Sequence, residues 1–440
     1  MSTMFVHVGQ AGCQIAQALW PALAQERQDS PDLFCPRTKG PSHPRAVLVD
    51  AEPKVVTSML APAPGATYNF DVYSTACAQS GRGGNFAMGY AGGYAGGPLP
   101  STAARPDLVE RAMECARRQT ERCHGAHLGT LLTHSLGGGT GSGLGTRLAE
   151  ELRDAYPQAL LLCLCVLPIT SGENPMQSYN SVLALSALQD VADGLVMYEN
   201  DLLLATSETS RKSSTATEPP PLLTSCGRGA AGTLTSMNAL VARDLVPFLC
   251  PAQAATPLDL GDLISGACPM PTHRLLQAFS ADVHASQGPV VEPRPLLEAF
   301  GRVVPRVPRQ GGVVGESGMA MSGSVVAAQA ITRGAQLSDT RWLQSELIER
   351  MGGRVSWQPF AAEMRSTQAA LRTAPSSARL SVVVNWKRSS QVVKSVVEKA
   401  RMKLERRLFA HWYERYGFGP DTFAHAFEVL DTVIADYEAA

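Results

Sequence analysis

Short apolar runs alternate with helical stretches over the first 200 residues. Residues 5–8, 45–50, 127–133 and 160–167 are the apolar runs that predict strands. Residues 105–122 and 144–156 are typical of helices. Strands that alternate with helices predict an α/β fold with a doubly wound, mostly parallel sheet. In such sheets ligands bind beyond the carboxyl ends of the strands.

The rest of the chain predicts three further parts. Residues 205–233 are rich in Ser, Thr, Pro and Gly and are typical of a linker. Residues 234–386 contain β-like runs around a helical stretch and predict an intermediate α+β domain. Residues 387–440 carry two apolar stripes at helical spacing and predict C-terminal helices. We interpret these stripes as packing surfaces in preference to membrane-binding faces.

Composition and charge exclude several classes of protein. The 440 residues contain 18% charged side chains and carry a net charge of −1. The net charge therefore creates no strong positive electrostatic field that would attract nucleic acid or acidic membrane, and we expect neither as a partner. The start of the sequence lacks the pattern of a signal peptide, so a cytoplasmic location is expected. The ten cysteines include no C-x-x-C, and Cys163 and Cys165 are interpreted as core residues of a strand.

The strongest chemical signal is a glycine-rich segment that follows the apolar run at 127–133. Five of the seven residues 137–143 are glycine, and the other two are Thr140 and Ser142. Without β-carbons, backbone N–H groups can converge on an anion, and the next helix adds its positive N-terminal end. A flexible loop is the alternative interpretation. The absence of a Gly-Lys dipeptide excludes a Walker A loop.

Other loops of the first half fall at strand ends as well. Residues 9–12 offer a second set of backbone donors, and residues 81–90 form a further glycine-rich loop. Asp50 and Glu52 place two carboxylates at one strand end, where they could hold a hydrated Mg²⁺ beside phosphates. A solvated turn is the alternative interpretation for that pair. Three such loops and an acidic pair together favour a phosphate ligand.

These loops resemble those of the tubulin family. Residues 133–143 resemble the tubulin signature loop, and residues 9–14 and 83–89 resemble two further nucleotide loops. The resemblance implies GTP or GDP as ligand, with Mg²⁺ at Asp50 and Glu52. It implies that Glu173 and Asn180 contact the sugar and that Asn200 contacts guanine. The residues implied to bind the nucleotide are Gly9, Gln10, Ala11, Gly12, Cys13, Gly83, Gly84, Asn85, Ser135, Gly138, Gly139, Thr140, Gly141, Glu173, Asn180 and Asn200.

Several positions depart from the family pattern. Leu240 stands where α-tubulin carries the acidic residue that drives hydrolysis of the next subunit's GTP. Between Leu202 and Ser236 the sequence has neither an aromatic residue nor an Asn, although the family binds guanine with both on its long core helix. Residues 45–54 resemble the divergent delta and zeta tubulins, which serve centrioles and basal bodies. His134 is interpreted as a structural residue rather than a catalytic base.

The resemblance implies the following organisation and function. Residues 1–204 form a GTP-binding domain, 205–233 an atypical linker or shortened core helix, 234–386 the intermediate domain and 387–440 the helical region. The expected function is that of a GTP-binding cytoskeletal subunit of centrioles or basal bodies, with other tubulin subunits and centriolar or basal-body proteins as partners. Any GTPase activity would depend on assembly. The alternatives are a pseudo-GTPase scaffold and, without a matching fingerprint, a nicotinamide-dependent enzyme.

Overall fold

The computed structural model describes most of the chain. The described residues are 2–27, 30–35, 40–61, 67–92, 107–122, 127–172, 174–213, 230–250, 259–284, 290–305, 325–334, 336–351, 353–355, 357–358, 361–375 and 377–440. They form two compact units: Met1–Asp201 with Val393–Thr432, and Leu202–Val392 with Val433–Ala440.

Strands and helices alternate along much of the chain. The strands are β1 (Ser2–Val8), β2 (Phe34–Cys35), β3 (His43–Pro44), β4 (Ala46–Asp50), β5 (Thr75–Cys77), β6 (His127–Ser135), β7 (Leu160–Leu167), β8 (Gly194–Glu199), β9 (Leu275–His284), β10 (Val290–Val291), β11 (Val325–Arg333), β12 (Gln336–Leu337), β13 (Ala362–Thr367) and β14 (Ser377–Trp386). The helices are α1 (Gly9–Arg27), α2 (Pro53–Leu60), α3 (Phe86–Tyr90), α4 (Leu108–Glu121), α5 (Gly145–Ala155), α6 (Gln177–Val191), α7 (Asn200–Ser213), α8 (Ala230–Leu249), α9 (Leu260–Ala267), α10 (Pro293–Val303), α11 (Thr340–Arg350), α12 (Lys387–Glu405), α13 (His411–Glu414) and α14 (Pro420–Ala439).

The first unit is built on a parallel sheet in the order β8–β7–β6–β1–β4–β5. Every residue of β4 is buried, as are seven of the eight residues of β7. Such continuous apolar strands are typical of a parallel sheet covered by helices on both faces. The predicted α/β fold with a doubly wound, mostly parallel sheet is confirmed.

The carboxyl ends of these strands carry the loops of interest. Strand order reverses around β1, which pairs with β4 on one side and β6 on the other. Phe5 is opposite Ala46 in one pair and Leu131 in the other, so the loops after β1, β4 and β6 emerge side by side. A reversal of strand order is the usual place for a ligand in such a sheet.

The second unit contains a mixed sheet in the order β13–β11–β14–β9. Strand β14 is antiparallel to both of its neighbours, while β11 and β13 are parallel. Leu296 and Phe300 of α10 and Leu343 of α11 are buried with Trp386 in one apolar core. This arrangement confirms the predicted α+β domain, and α12, α13 and α14 confirm the predicted C-terminal helices.

The structure differs from the sequence-based prediction around residues 205–233. Residues 205–213 continue α7 and residues 230–233 begin α8, so both stretches are helical rather than extended linker. Residues 214–229, the rest of the predicted linker, lie outside the described residues. The division into four domains stays a prediction. No helix within the described ranges combines the length and hydropathy that crossing a membrane requires.

Candidate functional site

The glycine-rich segment connects β6 to α5. Strand β6 ends at Ser135, and after a short bend the chain enters one π-helical turn over Thr140–Leu144 that continues into α5. No side chain caps the Gly139 end of this turn. The first N–H groups of a helix have no partner within it and carry partial positive charge. The turn therefore presents backbone donors suited to an anion.

Close backbone packing requires glycine at several positions of this segment. A Cβ on Gly141 would lie 2.6 Å from the carbonyl oxygen of Ser135. One on Gly139 would lie 2.4 Å from the carbonyl oxygen of Arg82, and one on Gly143 would lie 2.1 Å from that of Phe86. These distances are too short for any side chain. The glycines thus bring the loop after β6 into contact with the loop at residues 81–86.

The first predicted loop is the beginning of α1. Gly9 starts the helix with φ of 73°, and a Cβ there would lie 3.1 Å from the backbone nitrogen of Gly141. Gly12 packs on β6, because its Cβ would lie 2.4 Å from the carbonyl oxygen of Thr133. Gln10 is exposed and Ala11 is half-buried. Two helix N-termini, those of α1 and of the π-helical turn, therefore meet at the same sheet edge.

Cys13 is at the buried face of α1. Its thiol lies 3.8 Å from the carbonyl oxygen of His7 and 4.0 Å from that of Val49. Burial raises the pKa of this thiol, so it stays protonated. The side chain packs against the sheet, and any contact of Cys13 with a ligand would come from its backbone.

The third loop ends in a capped short helix. Gly83 and Gly84 have φ of 53° and 62°, values that favour glycine. The Oδ1 atom of Asn85 accepts from the backbone N–H of Met88 at 3.2 Å and caps α3. Asn85 therefore holds the end of the loop through this cap, and Gly83 and Gly84 allow the left-handed backbone conformation that the loop requires.

Asn180, predicted to contact the sugar, has a side chain that forms hydrogen bonds within the protein. It is fully buried, and its Nδ2 atom donates to the carbonyl oxygens of Gly84 at 2.7 Å and Gly137 at 2.9 Å. Its Oδ1 atom accepts from the N–H of Phe86 at 2.8 Å and the hydroxyl of Tyr413 at 2.6 Å. Two donors and two lone pairs are all that a carboxamide offers. The side chain is thus fully occupied within the protein and joins two of the loops.

Asn174, which the sequence reasoning missed, makes the same connection. Its Nδ2 atom donates to Gly84 at 2.9 Å and to Gly137 at 3.1 Å, again at their carbonyl oxygens. The dipeptide Asn174-Pro175 is a turn signal that could have drawn attention to it. Glu173, the other predicted sugar contact, lies outside the described residues. Asn200 is half-buried at the first position of α7.

Asp50 and Glu52 follow β4 as predicted but differ in environment. Asp50 is buried, and burial raises the pKa of its carboxyl to about 6. Glu52 is exposed and lines an open cleft of about 720 Å³ with Gly81. Among the described residues no three His, Cys, Asp or Glu side chains cluster as a metal site. The pair fits the outer shell of a hydrated cation rather than a complete protein site.

The remaining predicted residues lie at the same edge. Ser135, Gly138 and Thr140 are half-buried. Among the described residues, a Cβ on Gly138 would meet only the Ser135 Oγ atom within 4 Å, at 3.9 Å. Glycine-rich backbone at two helix N-termini leaves N–H groups accessible at this edge, and this cradle of N–H groups fits a polyphosphate.

Comparison with known proteins agrees with this geometry. Residues 2–208 match the GTPase domain of the Tubulin/FtsZ family. This stretch, a little under half of the chain, therefore carries the GTPase domain of that family. The delta chains among its relatives, at 32% identity, support a divergent, non-αβ tubulin.

Two kinds of relative define how far the similarity extends. The human tubulin delta chain is 32% identical over 221 residues, which cover 46% of each chain, and the Caenorhabditis elegans gamma chain is 32% identical over 232 residues. By these matches the chain spans about half the length of its curated relatives. The beta-1 chain of Chondrus crispus is 23% identical over 99% of this chain and 93% of its own length.

Proposed function

We propose that this tubulin-like cytoskeletal protein binds GTP or GDP and serves centrioles or basal bodies. Its partners in the proposal are other tubulin subunits and centriolar or basal-body proteins, and its place is the cytoplasmic cytoskeleton. The delta chains among its relatives support this assignment. Residues 45–54 resemble the zeta class as well as the delta class, and assignment to either class would give the same proposed location at centrioles or basal bodies.

One observation carries the nucleotide part of the proposal: the backbones of three loops meet at one sheet edge. Gly9 contacts Gly141, and Gly139 contacts Arg82 and Asn85. In the proposal, backbone N–H groups around Gly138–Gly141 hold the phosphates, and Asn200 contacts the base. Bound Mg²⁺ would neutralise phosphate charge, with Asp50 and Glu52 in its outer shell.

Hydrolysis is proposed to depend on assembly. Leu240 is buried in α8, with 4% of its surface exposed, and its hydrocarbon side chain cannot activate water. We therefore expect the free chain to hydrolyse GTP slowly or not at all. Rapid turnover by the purified monomer would contradict this part of the proposal.

The test is the nucleotide released when the purified protein is denatured, identified by chromatography. One equivalent of GDP or GTP is expected. Gly138→Ala places a methyl group in the cradle without a protein clash and should lower the bound fraction severalfold. Gly419→Ala is the control, because no atom of the part of the chain that the structure describes lies within 4 Å of a Cβ at that position. Equal nucleotide content in both variants would contradict the proposed phosphate site.

A pseudo-GTPase scaffold is the second candidate. It is favoured by the lack of an aromatic residue or Asn between Leu202 and Ser236. Folded protein that contains no nucleotide, and takes up none when GTP and Mg²⁺ are added, would establish this alternative and remove the first.

A further inference from the structure

We propose that Tyr413 positions the phosphate-binding loops through Asn180, so that retention of the nucleotide depends on the C-terminal segment 403–413. The inference concerns the site of the proposed function and rests on it for the identity of the ligand. Tyr413 and Asn180 are 233 residues apart in sequence, and both are buried in the first unit.

The link between the two residues is one hydrogen bond. The Tyr413 hydroxyl donates to Oδ1 of Asn180 at 2.6 Å, while the Phe86 N–H donates to the same oxygen at 2.8 Å. Burial raises the pKa of Tyr413, so the phenol stays protonated and remains a donor. With Oδ1 held on two sides, Nδ2 is directed at the carbonyl oxygens of Gly84 and Gly137. The orientation of one carboxamide therefore sets the separation of two loops.

Further bonds hold the segment that carries Tyr413 against the start of α6. Lys403 Nζ donates to the carbonyl oxygen of Pro175 at 2.7 Å and contacts Ser178 Oγ at 3.1 Å. The Tyr179 hydroxyl donates to the carbonyl oxygen of Leu408 at 2.9 Å. The Tyr413 and Tyr179 rings pack edge to face, with centroids 5.4 Å apart. The donor of the Asn180 bond is thus itself fixed in position.

The same segment contacts the third loop directly. Nδ2 of Asn85, the residue that caps α3, donates to the carbonyl oxygen of Trp412 at 3.3 Å. Arg407 and Phe409, just before it, have φ of 51° and 59°, which is unfavourable for residues with a side chain. Such conformations persist where the surrounding contacts determine them. At Arg407 the conformation closes α12, because the Arg407 N–H donates to the carbonyl oxygen of Leu404 at 2.8 Å and the Leu408 N–H to that of Lys403 at 3.0 Å.

The second unit offers a matched control. The Tyr437 hydroxyl donates to Oδ1 of Asn385 at 2.6 Å, and both residues are buried. Nδ2 of Asn385 likewise donates to two carbonyl oxygens, those of Ala267 at 3.0 Å and His273 at 2.7 Å. Tyr437→Phe and Tyr413→Phe both remove a bond from a phenol to an asparagine Oδ1 and keep the ring, and Tyr437→Phe also removes the acceptor of the Leu275 N–H at 2.9 Å. Only Tyr413 is connected to the phosphate-binding loops.

The experiment measures how fast a fluorescent GDP analogue dissociates from the full chain and from both variants. Tyr413→Phe should speed dissociation about tenfold, which corresponds to about 1.4 kcal/mol, the size of one buried hydrogen bond. Tyr437→Phe should leave the rate unchanged, although this variant should lose at least as much thermal stability as Tyr413→Phe. Equal dissociation rates for the two variants would overturn the inference.

Amide hydrogen exchange provides a second measurement that needs no nucleotide. Tyr413→Phe should increase exchange severalfold at residues 84–90 and 137–143, and Tyr437→Phe should not. If the unmodified protein binds no nucleotide, the proposed function fails while this comparison still tests the positioning role. Unchanged exchange in both loops would overturn that role as well.

Discussion

The Nδ1 atom of His134 lies 2.8 Å from the carbonyl oxygen of Gly141, inside the glycine-rich segment. The ring is fully buried, and burial lowers the pKa of His134 to about 4. A neutral imidazole that donates from Nδ1 accepts at Nε2, where the Cys165 thiol lies 3.7 Å away. His134 therefore anchors the π-helical turn to the sheet, which agrees with its predicted structural role.

This environment predicts a pH dependence of stability. The folded-state pKa of His134, about 4, lies below the usual histidine value of about 6.5, so between these values the unfolded chain binds more protons. Stability should fall as pH drops from 6.5 toward 4, with about 3 kcal/mol attributable to His134 over the full shift.

The urea midpoint measured across this pH range tests the prediction. His134→Asn keeps a donor near the Nδ1 position but cannot titrate, so its midpoint should depend less on pH than that of the unmodified protein. The exposed His425 provides the control substitution, His425→Asn. An unchanged pH dependence in His134→Asn would show that His134 does not contribute.

The sequence predicts this part of the site well because its signals are local. An apolar run, five glycines and the start of a helix are contiguous, so the loop between β6 and α5 can be found without tertiary information. The same alternation predicts a mostly parallel sheet and finds β1, β4, β6 and β7. Strand β5 could not be found in this way, because three residues are too few to show a period.

Asn180 shows why the rest could not be predicted. Its partners Gly137, Gly84 and Tyr413 are 43, 96 and 233 residues away, and no spacing within the sequence reveals that they meet. The family resemblance assigned the side chain to the sugar, whereas its four hydrogen bonds lie within the protein. Its place in the nucleotide site stays a prediction, and burial leaves its side chain with partners inside the protein.

A second prediction concerns the contact between α3 and the glycine-rich segment. A Cβ on Gly89 would lie 2.1 Å from the carbonyl oxygen of Gly139, so Gly89→Ala must push these backbones apart. Nucleotide retention should fall at least tenfold and thermal stability should decrease. Nucleotide release and a thermal melt measure the two effects, with Gly419→Ala as the tolerated control. Normal nucleotide binding by Gly89→Ala would mean that this contact is dispensable.

A third prediction concerns Mg²⁺. Glu52 is exposed, so Glu52→Gln should leave stability unchanged while weakening the hold on the cation. Chelation of Mg²⁺ should speed nucleotide dissociation from the unmodified protein severalfold and have a smaller effect on Glu52→Gln. Glu428→Gln, in an exposed position of α14, is the control. Equal sensitivity to chelation in all three proteins would mean that Glu52 does not help to hold the cation.

A fourth prediction concerns the stability of the second unit. Arg379 bonds Asp282 through both ends of its guanidinium, Nε to Oδ1 at 2.5 Å and a terminal nitrogen to Oδ2 at 3.0 Å. The Arg379 side chain is only 6% exposed. Burial alone would raise the pKa of Asp282, but Arg379 lowers it below the usual range. Removing the arginine leaves the half-buried Asp282 carboxylate without this partner.

Arg379→Met should therefore lower the free energy of unfolding by about 2 kcal/mol, the size of a partly buried hydrogen-bonded charge pair. Arg365→Met, which breaks the more exposed pair with Glu363 on β13, should cost within about 1 kcal/mol. Urea unfolding of each protein measures the difference. The loss in Arg379→Met should shrink as pH falls, because a protonated Asp282 no longer carries the uncompensated charge. A loss that is equal for both variants, or constant with pH, would mean that pairing with Asp282 does not stabilise this unit.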